Sequence, residues 1–165
     1  MAMGDEGVAR LVANLPPRAC QLRLADQRIT PTGVEAIAAA LRAPGCAVTA
    51  VDLSRNRLGD AGTEALADAL GGGAPTTSLS LQDNAIGTSG LAALAAALAS
   101  GSAITALDLG NSLLDGRRHN RFRGATIAPL LEALPSSSVV ELCLRGCGLD
   151  QGSETCLVAA LATAG

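Results

Sequence analysis

Cysteine is the first residue type in this sequence whose spacing suggests chemistry. Cys143 and Cys147, followed by Cys156, offer thiolates, which are preferred ligands of structural zinc. However, Cys147 takes a turn position in the pattern described below, and Cys156 falls beside an apolar helix residue. The three side chains are therefore not expected to converge. We interpret them as structural thiols and predict no metal site.

Acid–base and phosphate chemistry find little support in the sequence. His119 is the only histidine, and no serine or cysteine nucleophile can be paired with it. Asp52, Asp83 and Asp108 fall in successive strand segments, where their carboxylates suit a cation, but a solvated acidic edge is the better interpretation. The glycines at 71–73 lack the Lys-Ser/Thr of a phosphate loop. We therefore expect no cofactor and no enzyme activity.

The densest charged segment spans residues 115–124 and holds four of the twelve basic residues, together with the single Phe. Arginines beside an aromatic ring suit an acidic peptide, a phosphate or RNA. A solvated loop without a partner is the open alternative, and nucleic acid is less favoured because no second basic patch accompanies the loop. The candidate partner-binding residues of this rim loop are Arg117, Arg118, His119, Arg121, Phe122 and Arg123.

The composition limits what can position these residues. The 165 residues are 48% hydrophobic, which suffices for one domain, but with almost no aromatics the core must be aliphatic. A net charge of −3 argues against a nucleic-acid binder as a whole. The longest apolar stretch, 91–99, is too short to span a bilayer, and no secretory segment precedes the five cysteines. We expect a cytoplasmic protein, or one of another reducing compartment, with free thiols and no membrane contact.

One unit, residues 51–70, recurs along the whole sequence as a short strand, an Asn-led turn and an amphipathic helix. Alternating apolar residues predict a strand with one buried face, and apolar pairs four residues apart predict a helix packed on it. Helices are expected near 5–15, 33–43, 61–71, 89–99, 126–134 and 153–163. The strands begin their apolar pattern at Leu22, Val51, Leu79, Leu107 and Leu142, and the turn positions are Gln27, Asn56, Asn84, Ser112 and Cys147.

This pattern resembles the leucine-rich repeat, specifically its ribonuclease-inhibitor-like subtype of about 28 residues. The resemblance rests on Leu-x-Leu-x-x-Asn/Cys-x-Leu-Gly-Asp-x-Gly, best matched at 51–62, while Gln27 and Ser112 depart from it. It implies an α/β solenoid, a horseshoe of about five and a half repeats with parallel strands on the concave face and helices on the convex face. Members are mostly protein-binding scaffolds.

We expect a single repeat domain over residues 1–165. Because the chain starts in mid-repeat and ends without a polar cap, we expect either a segment of a longer protein or ends covered by a partner or another copy. The oligomeric state stays open. The predicted units are a half repeat at 3–21 and repeats at 22–50, 51–78, 79–106, 107–141 with an inserted loop at 115–124, and 142–165.

Strand side chains on the concave face form the second candidate surface. Most of them are small and polar, and several are acidic. They lack the aromatic anchors that protein interfaces favour, so an ordinary solvated sheet face is the alternative. The candidate partner-binding residues there are Arg23, Asp52, Arg55, Ser80, Gln82, Asp83, Asp108, Asn111 and Arg145.

We therefore expect a non-catalytic protein–protein interaction or scaffold module, part of a longer protein or a large assembly, with protein partners that include acidic surfaces. Two alternatives stay open. Ran GTPase-activating proteins share this repeat subtype, which suggests a GTPase-activating regulator, although the acidic tail of that family is missing here. The uncapped ends suggest a structural subunit that docks through them.

Overall fold

The computed structural model describes residues 2–112, 119–122 and 127–148. The helix predicted near 153–163 lies outside these ranges. Strands and helices alternate along the described chain. The elements are α1 Gly4–Ala13, β1 Gln21–Arg23, α2 Pro31–Arg42, β2 Ala50–Asp52, α3 Gly59–Gly71, β3 Ser78–Ser80, α4 Thr88–Ala99, β4 Ala106–Asp108, α5 Ala128–Ala133 with a 3-10 turn Leu134–Ser136, and β5 Glu141–Cys143.

The five strands form one parallel sheet in the order β1-β2-β3-β4-β5. Each strand pairs with its successor, and the pairing aligns the first apolar positions that the repeat predicts. Each helix packs against the helices of the neighbouring coils, so helices and strands form two layers. The fold is an α/β leucine-rich-repeat solenoid, which confirms the predicted class. The aligned residues are Leu22, Val51, Leu79, Leu107 and Leu142.

Aliphatic side chains fill the space between the two layers. Leu53, Leu81 and Leu109, the second apolar positions of three strands, are fully buried, as is Leu66 on α3. Burying one such side chain contributes about 1.5–3 kcal/mol. A single coil of one strand and one helix is too small to bury these residues on its own, so the coils are stable only when stacked.

Aspartates at two helix starts tie each coil to the next one. Asp60 Oδ1 accepts the backbone N–H groups of Gly87 at 2.7 Å and Gly90 at 2.9 Å. The repeat requires glycine at position 90 because a Cβ there would lie 2.8 Å from the same oxygen. Asp5 makes the corresponding contact in the first coil, where it accepts the N–H and hydroxyl groups of Thr30 at 2.8 and 2.6 Å.

The first four helices begin one or two residues earlier than predicted, whereas α5 begins two residues later and is the shortest of those described. Pro31 starts α2, because a proline in the first turn has no helical N–H to leave unpaired. In the fifth helix, Pro135 lacks the N–H that would continue the α-helical ladder, and the chain turns into a 3-10 segment there.

Buried asparagines join the successive turns. Asn56 Oδ1 accepts the backbone N–H groups of Gln27 and Ile29, both at 3.0 Å, and its Nδ2 donates to strand carbonyls of both coils at 2.8 Å. Asn84 Nδ2 likewise donates to Leu53 O at 2.9 Å. These bonds satisfy backbone groups that would otherwise be buried without partners. Asn56 and Asn84 therefore occupy the predicted turn positions and form a ladder of hydrogen bonds between successive coils.

Asn120 makes these bonds in the fourth coil, which corrects the predicted turn position at Ser112. Asn120 Oδ1 accepts the N–H groups of Asn84 at 3.1 Å and Ile86 at 3.0 Å, and its Nδ2 donates to two strand carbonyls at 2.9 Å. The physical reason is that an amide both accepts and donates, so one Asn side chain satisfies backbone groups of two coils at once. The extra residues of this repeat therefore precede Asn120, rather than filling 115–124.

Phe122 enters the core because of the same shift. It follows Asn120 by two residues, as Leu58 follows Asn56, and its side chain is 0% exposed. The prediction that Phe122 offers an aromatic contact to a partner is therefore corrected, because its ring takes the buried position that leucine takes in the second coil. In the sequence, the triplet Asn-Arg-Phe at 120–122 repeats the Asn-Arg-Leu of 56–58 and so indicates that Phe122 takes a core position.

The two ends of the ladder use different side chains. Gln27 contributes its backbone N–H to Asn56, while its side-chain Oε1 accepts the N–H of Met3 at 3.0 Å. Cys147 Sγ donates to Leu109 O at 3.1 Å and is nearly fully buried. Burial raises the pKa of the Cys147 thiol to about 12, so the sulfur remains a neutral donor.

Candidate protein-interaction surfaces

Concave side chains form three columns across the sheet. The column formed by the residue between the two apolar positions of each strand was predicted, and so was the column formed by the residue that follows the second apolar position. The column before them was missed, although the same alternation of buried and exposed residues extends to it. From β1 to β5 the missed column is Gln21, Ala50, Ser78, Ala106 and Glu141; the others are Arg23, Asp52, Ser80, Asp108 and Cys143, then Ala25, Ser54, Gln82, Gly110 and Arg145.

Two depressions lie on this face where the side chains are small. The larger, about 620 Å³, covers β3 to β5, and its polar and small lining residues are Ser78, Ser80, Ala106, Asp108, Glu141 and Cys143. The smaller, about 350 Å³, covers β1 to β3 and is lined by Gln21, Arg23, Ala50, Asp52, Ser78 and Ser80. Both depressions are open to solvent, so they suit a segment lying on the sheet better than an enclosed small molecule.

Asp52 and Asp108 are held in the same local geometry. Asp52 Oδ1 accepts the N–H of Ser54 at 3.0 Å, and Asp108 Oδ1 accepts the N–H of Gly110 at 2.9 Å. Both side chains are half-buried, so their carboxylates are oriented on the face and still accessible. These two predicted residues therefore lie where the concave-face expectation put them.

Cys143 lies beside Asp108 in the larger depression. Burial raises the pKa of the Cys143 thiol and Asp108 adds to the rise, whereas a hydrogen bond from the Arg145 backbone and the positive charge of Arg145 oppose it. The thiol is therefore neutral at pH 7, and the carboxylates of Asp108 and Glu141 carry the charge of the larger depression. None of its lining residues is basic.

Asp83 and Asn111 were predicted as concave contacts, but both are only 2% exposed. Both oxygens of Asp83 accept the N–H of Ser112 at 3.1 Å. Asn111 Oδ1 accepts the N–H of Asn120 at 2.7 Å, and its Nδ2 donates to Asn120 O at 2.8 Å. These side chains close the base of the long loop, which corrects the expectation that they face a partner.

His119 lies at the same loop base. Its Nε2 is 2.9 Å from Ser112 O and 3.8 Å from Asp83 Oδ1. The contact with Ser112 uses a backbone carbonyl, so the imidazole is not placed against a serine hydroxyl as nucleophilic catalysis requires. Arg121 is exposed, as predicted for the rim loop. The remaining residues predicted for that loop lie outside the described ranges: Arg117, Arg118 and Arg123.

The described ranges contain neither a cluster of metal-ligating side chains nor a membrane-spanning helix. Within them, no group of three or more His, Cys, Asp or Glu side chains is arranged to hold a metal ion. Cys20, Cys46, Cys143 and Cys147 are free thiols, and Cys156 lies outside the described residues. No helix in this part of the chain is long and apolar enough to cross a membrane.

Known proteins share the repeat and the fold. A family described as "Leucine Rich repeat" matches residues 46–67 and 77–95. A solved structure titled "Leiomodin-1 Actin-Binding Site 2 (ABS2)" superposes with a TM-score of 0.75 at 21% sequence identity, covering 95% of this chain and 87% of that one. No curated protein sequence is significantly similar to this chain. The two matched segments are leucine-rich repeats, and the structural likeness agrees with the α/β leucine-rich-repeat solenoid fold of the chain.

Proposed function

We propose that this chain is a non-catalytic protein-interaction module whose concave sheet face receives a segment of a partner protein. The observation that carries the proposal is the acidic depression of about 620 Å³ over β3 to β5. Its floor is made of small side chains such as Ser78, Ser80 and Ala106, so a partner backbone can approach the sheet closely.

Charge indicates what the partner segment carries. Asp108 and Glu141 line the depression without a basic side chain among the lining residues. A Lys or Arg of the partner would restore charge balance there and would be oriented by the fixed Asp108 carboxylate. Charged complementarity of this kind contributes mainly specificity and association rate.

The likeness to Leiomodin-1 supports the class of function but not a partner. That chain is named as an actin-binding site, so a solenoid of similar fold serves protein binding in that protein. At 21% identity the likeness carries the fold alone. No observation on the described residues favours a GTPase-activating role or docking through the ends over the concave-face module.

Three finer expectations remain proposals. The 28-residue spacing between Val51, Leu79 and Leu107 supports the ribonuclease-inhibitor-like subtype. The continuous register of the five strands supports a single repeat domain. Four free thiols support a reducing compartment such as the cytoplasm.

A matched pair of substitutions tests the concave face. Ala106→Arg fills the depression with a cation of the chain's own, whereas Ala96→Arg places the same side chain on the exposed surface of α4. Affinity capture from the native cell extract, quantified by mass spectrometry, should show partners that Ala106→Arg loses and Ala96→Arg retains. Equal partner sets for wild type and both variants would contradict the proposal.

A further inference from the structure

The edge where strands turn into helices carries a row of arginines. Arg28, Arg57 and Arg121 each follow directly after a turn position, in the first, second and fourth coils, and all three side chains are exposed. Ala85 takes the same place in the third coil and is also exposed. Coils repeat at about the 4.7–4.9 Å strand spacing, so Arg57 and Arg121 lie roughly 10 Å apart, with Arg28 one coil further out.

Hydrogen bonds between coils hold the backbone of this row. The N–H of Arg57 donates to Ile29 O at 2.8 Å, and the N–H of Arg121 donates to Ile86 O at 3.0 Å. These equivalent bonds show that Arg57 and Arg121 occupy the same place in their coils. A row whose backbone is already ordered loses less conformational entropy on binding than a flexible loop does.

Within the described residues, the arginines of the row, Arg28, Arg57 and Arg121, have no ion-pair partner. The nearby Asp83 is buried, and Asp60 is engaged with backbone N–H groups.

Two further charged residues lie on the same edge. Asp26 and Arg55 are both exposed, and their opposite charges offset one another. The row of three arginines therefore presents a local positive charge on a chain whose net charge is −3.

We propose that this arginine row, Arg28, Arg57 and Arg121, is a second interaction surface that binds an acidic segment of a partner protein. A segment in the polyproline II conformation rises about 3.1 Å per residue and returns to the same face every third residue, so acidic residues three apart match the roughly 10 Å between Arg57 and Arg121. Guanidinium groups bind carboxylates in a two-point geometry, which favours such a segment.

Nucleic acid fits the row less well than an acidic peptide does. Single-stranded nucleic acids are bound by basic grooves with exposed aromatic rings on which bases stack. The one aromatic side chain of this sequence, Phe122, is fully buried beneath the row. Three cations are also few compared with the phosphate contacts that nucleic-acid binding at physiological salt requires.

Charge reversal with a matched control tests the row. Arg57→Glu/Arg121→Glu removes the positive charge of two of its members. Arg18→Glu/Arg42→Glu gives the same net charge by changing two exposed arginines outside the row, Arg18 between α1 and β1 and Arg42 at the end of α2. The probe is a labelled polyglutamate peptide, read by fluorescence anisotropy. We expect wild type to bind at low ionic strength, the row variant to bind at least about tenfold more weakly, and the control pair to bind within about threefold of wild type.

A variant that is expected to bind more tightly excludes misfolding as the explanation of the result. Ala85→Arg fills the gap in the row, and its backbone φ of 57° is close to the 59° that Arg28 already adopts. This variant should bind polyglutamate several-fold more tightly, whereas Ala96→Arg on α4 should bind it as wild type does. Tightening by both arginines equally would show a general charge effect and overturn the proposal.

Two other classes of anionic ligand test whether the row prefers an acidic protein segment. Oligothymidylate and phosphatidylserine vesicles are tested under the same conditions as the polyglutamate peptide. Binding of either one as tightly as polyglutamate, or equal losses in the row variant and the control pair, would overturn the assignment of an acidic protein segment. Failure of wild type to bind polyglutamate at low ionic strength would also overturn it. The concave-face module would survive each of these failures, because Ala106→Arg tests it separately.

Discussion

Asn120 Oδ1 accepts the backbone N–H of Asn84 at 3.1 Å, across 36 residues of sequence. This bond places Asn120 one coil beyond Asn84 in the buried ladder of turns. It also fixes the frame of the fourth repeat, since Phe122 then falls on a core position and is fully buried. The irregular part of the chain is therefore joined to the regular coils through a side chain of the rim loop.

Replacing Asn120 should be costly. Asn120→Ala removes four hydrogen bonds and leaves the N–H groups of Asn84 and Ile86 buried without partners. We expect the free energy of unfolding to fall by about 2–4 kcal/mol, measured by urea denaturation. Ser112→Ala is the matched control, because the hydrogen bonds of Ser112 use its backbone atoms, and should cost less than about 0.5 kcal/mol. A larger loss of unfolding free energy in Ser112→Ala than in Asn120→Ala would show that Ser112, and not Asn120, holds the turn position.

Phe122 should behave as a core residue. Phe122→Ala leaves a cavity where the ring was fully buried, and we expect a loss of about 3–5 kcal/mol in unfolding free energy. The neighbouring Arg121→Ala, at an exposed position, should change it by no more than about 0.5 kcal/mol. Thermal or urea unfolding of both variants checks this difference, and a neutral Phe122→Ala would contradict the assigned frame.

Cys147 should resist alkylation in the folded protein. With a pKa of about 12, roughly one thiol in ten thousand is ionised at pH 8, and the thiolate is the reactive form. Iodoacetamide followed by mass spectrometry should modify exposed Cys20 first and Cys147 only after unfolding. Modification of native Cys147 at the rate of Cys20 would contradict its burial.

The same pKa shift makes stability depend on pH in a defined direction. The unfolded thiol ionises near its ordinary pKa of 9.0, whereas the folded thiol holds its proton to about pH 12. The contribution is therefore complete below about pH 9 and is lost as the pH rises from there towards 12. Unfolding free energies of wild type and Cys147→Ala should accordingly diverge less at pH 10 than at pH 7.

The regular coils could be predicted from sequence because each apolar position has a local cause. Alternation along β2 and the four-residue spacing on α3 each follow from burial of one face, and both recur at a fixed interval. Where the interval changes, as between Leu107 and Leu142, spacing alone assigns the turn to Ser112. The triplet at 120–122 held the better signal, since it repeats the Asn-x-apolar pattern of 56–58.

The surfaces were harder to predict because burial of polar residues depends on distant contacts. Asp83 resembles an exposed strand-end acid in the sequence, yet its partner Ser112 comes 29 residues later. Asn111 is buried because it is hydrogen-bonded to Asn120. The sequence pattern does not indicate the path of the insertion that separates these two residues. The arginine row was missed for a related reason, since Arg121 takes the same place as Arg28 and Arg57 only after the frame of the fourth coil is corrected.

The central claim is that the concave face is where this module holds a protein partner. A photo-crosslinking amino acid at position 106, within the acidic depression, can be compared in cells with the same amino acid at exposed position 96 on α4. We predict a discrete crosslinked protein from position 106 and none from position 96. Crosslinking from position 96 alone, or equally from both positions, would contradict the claim.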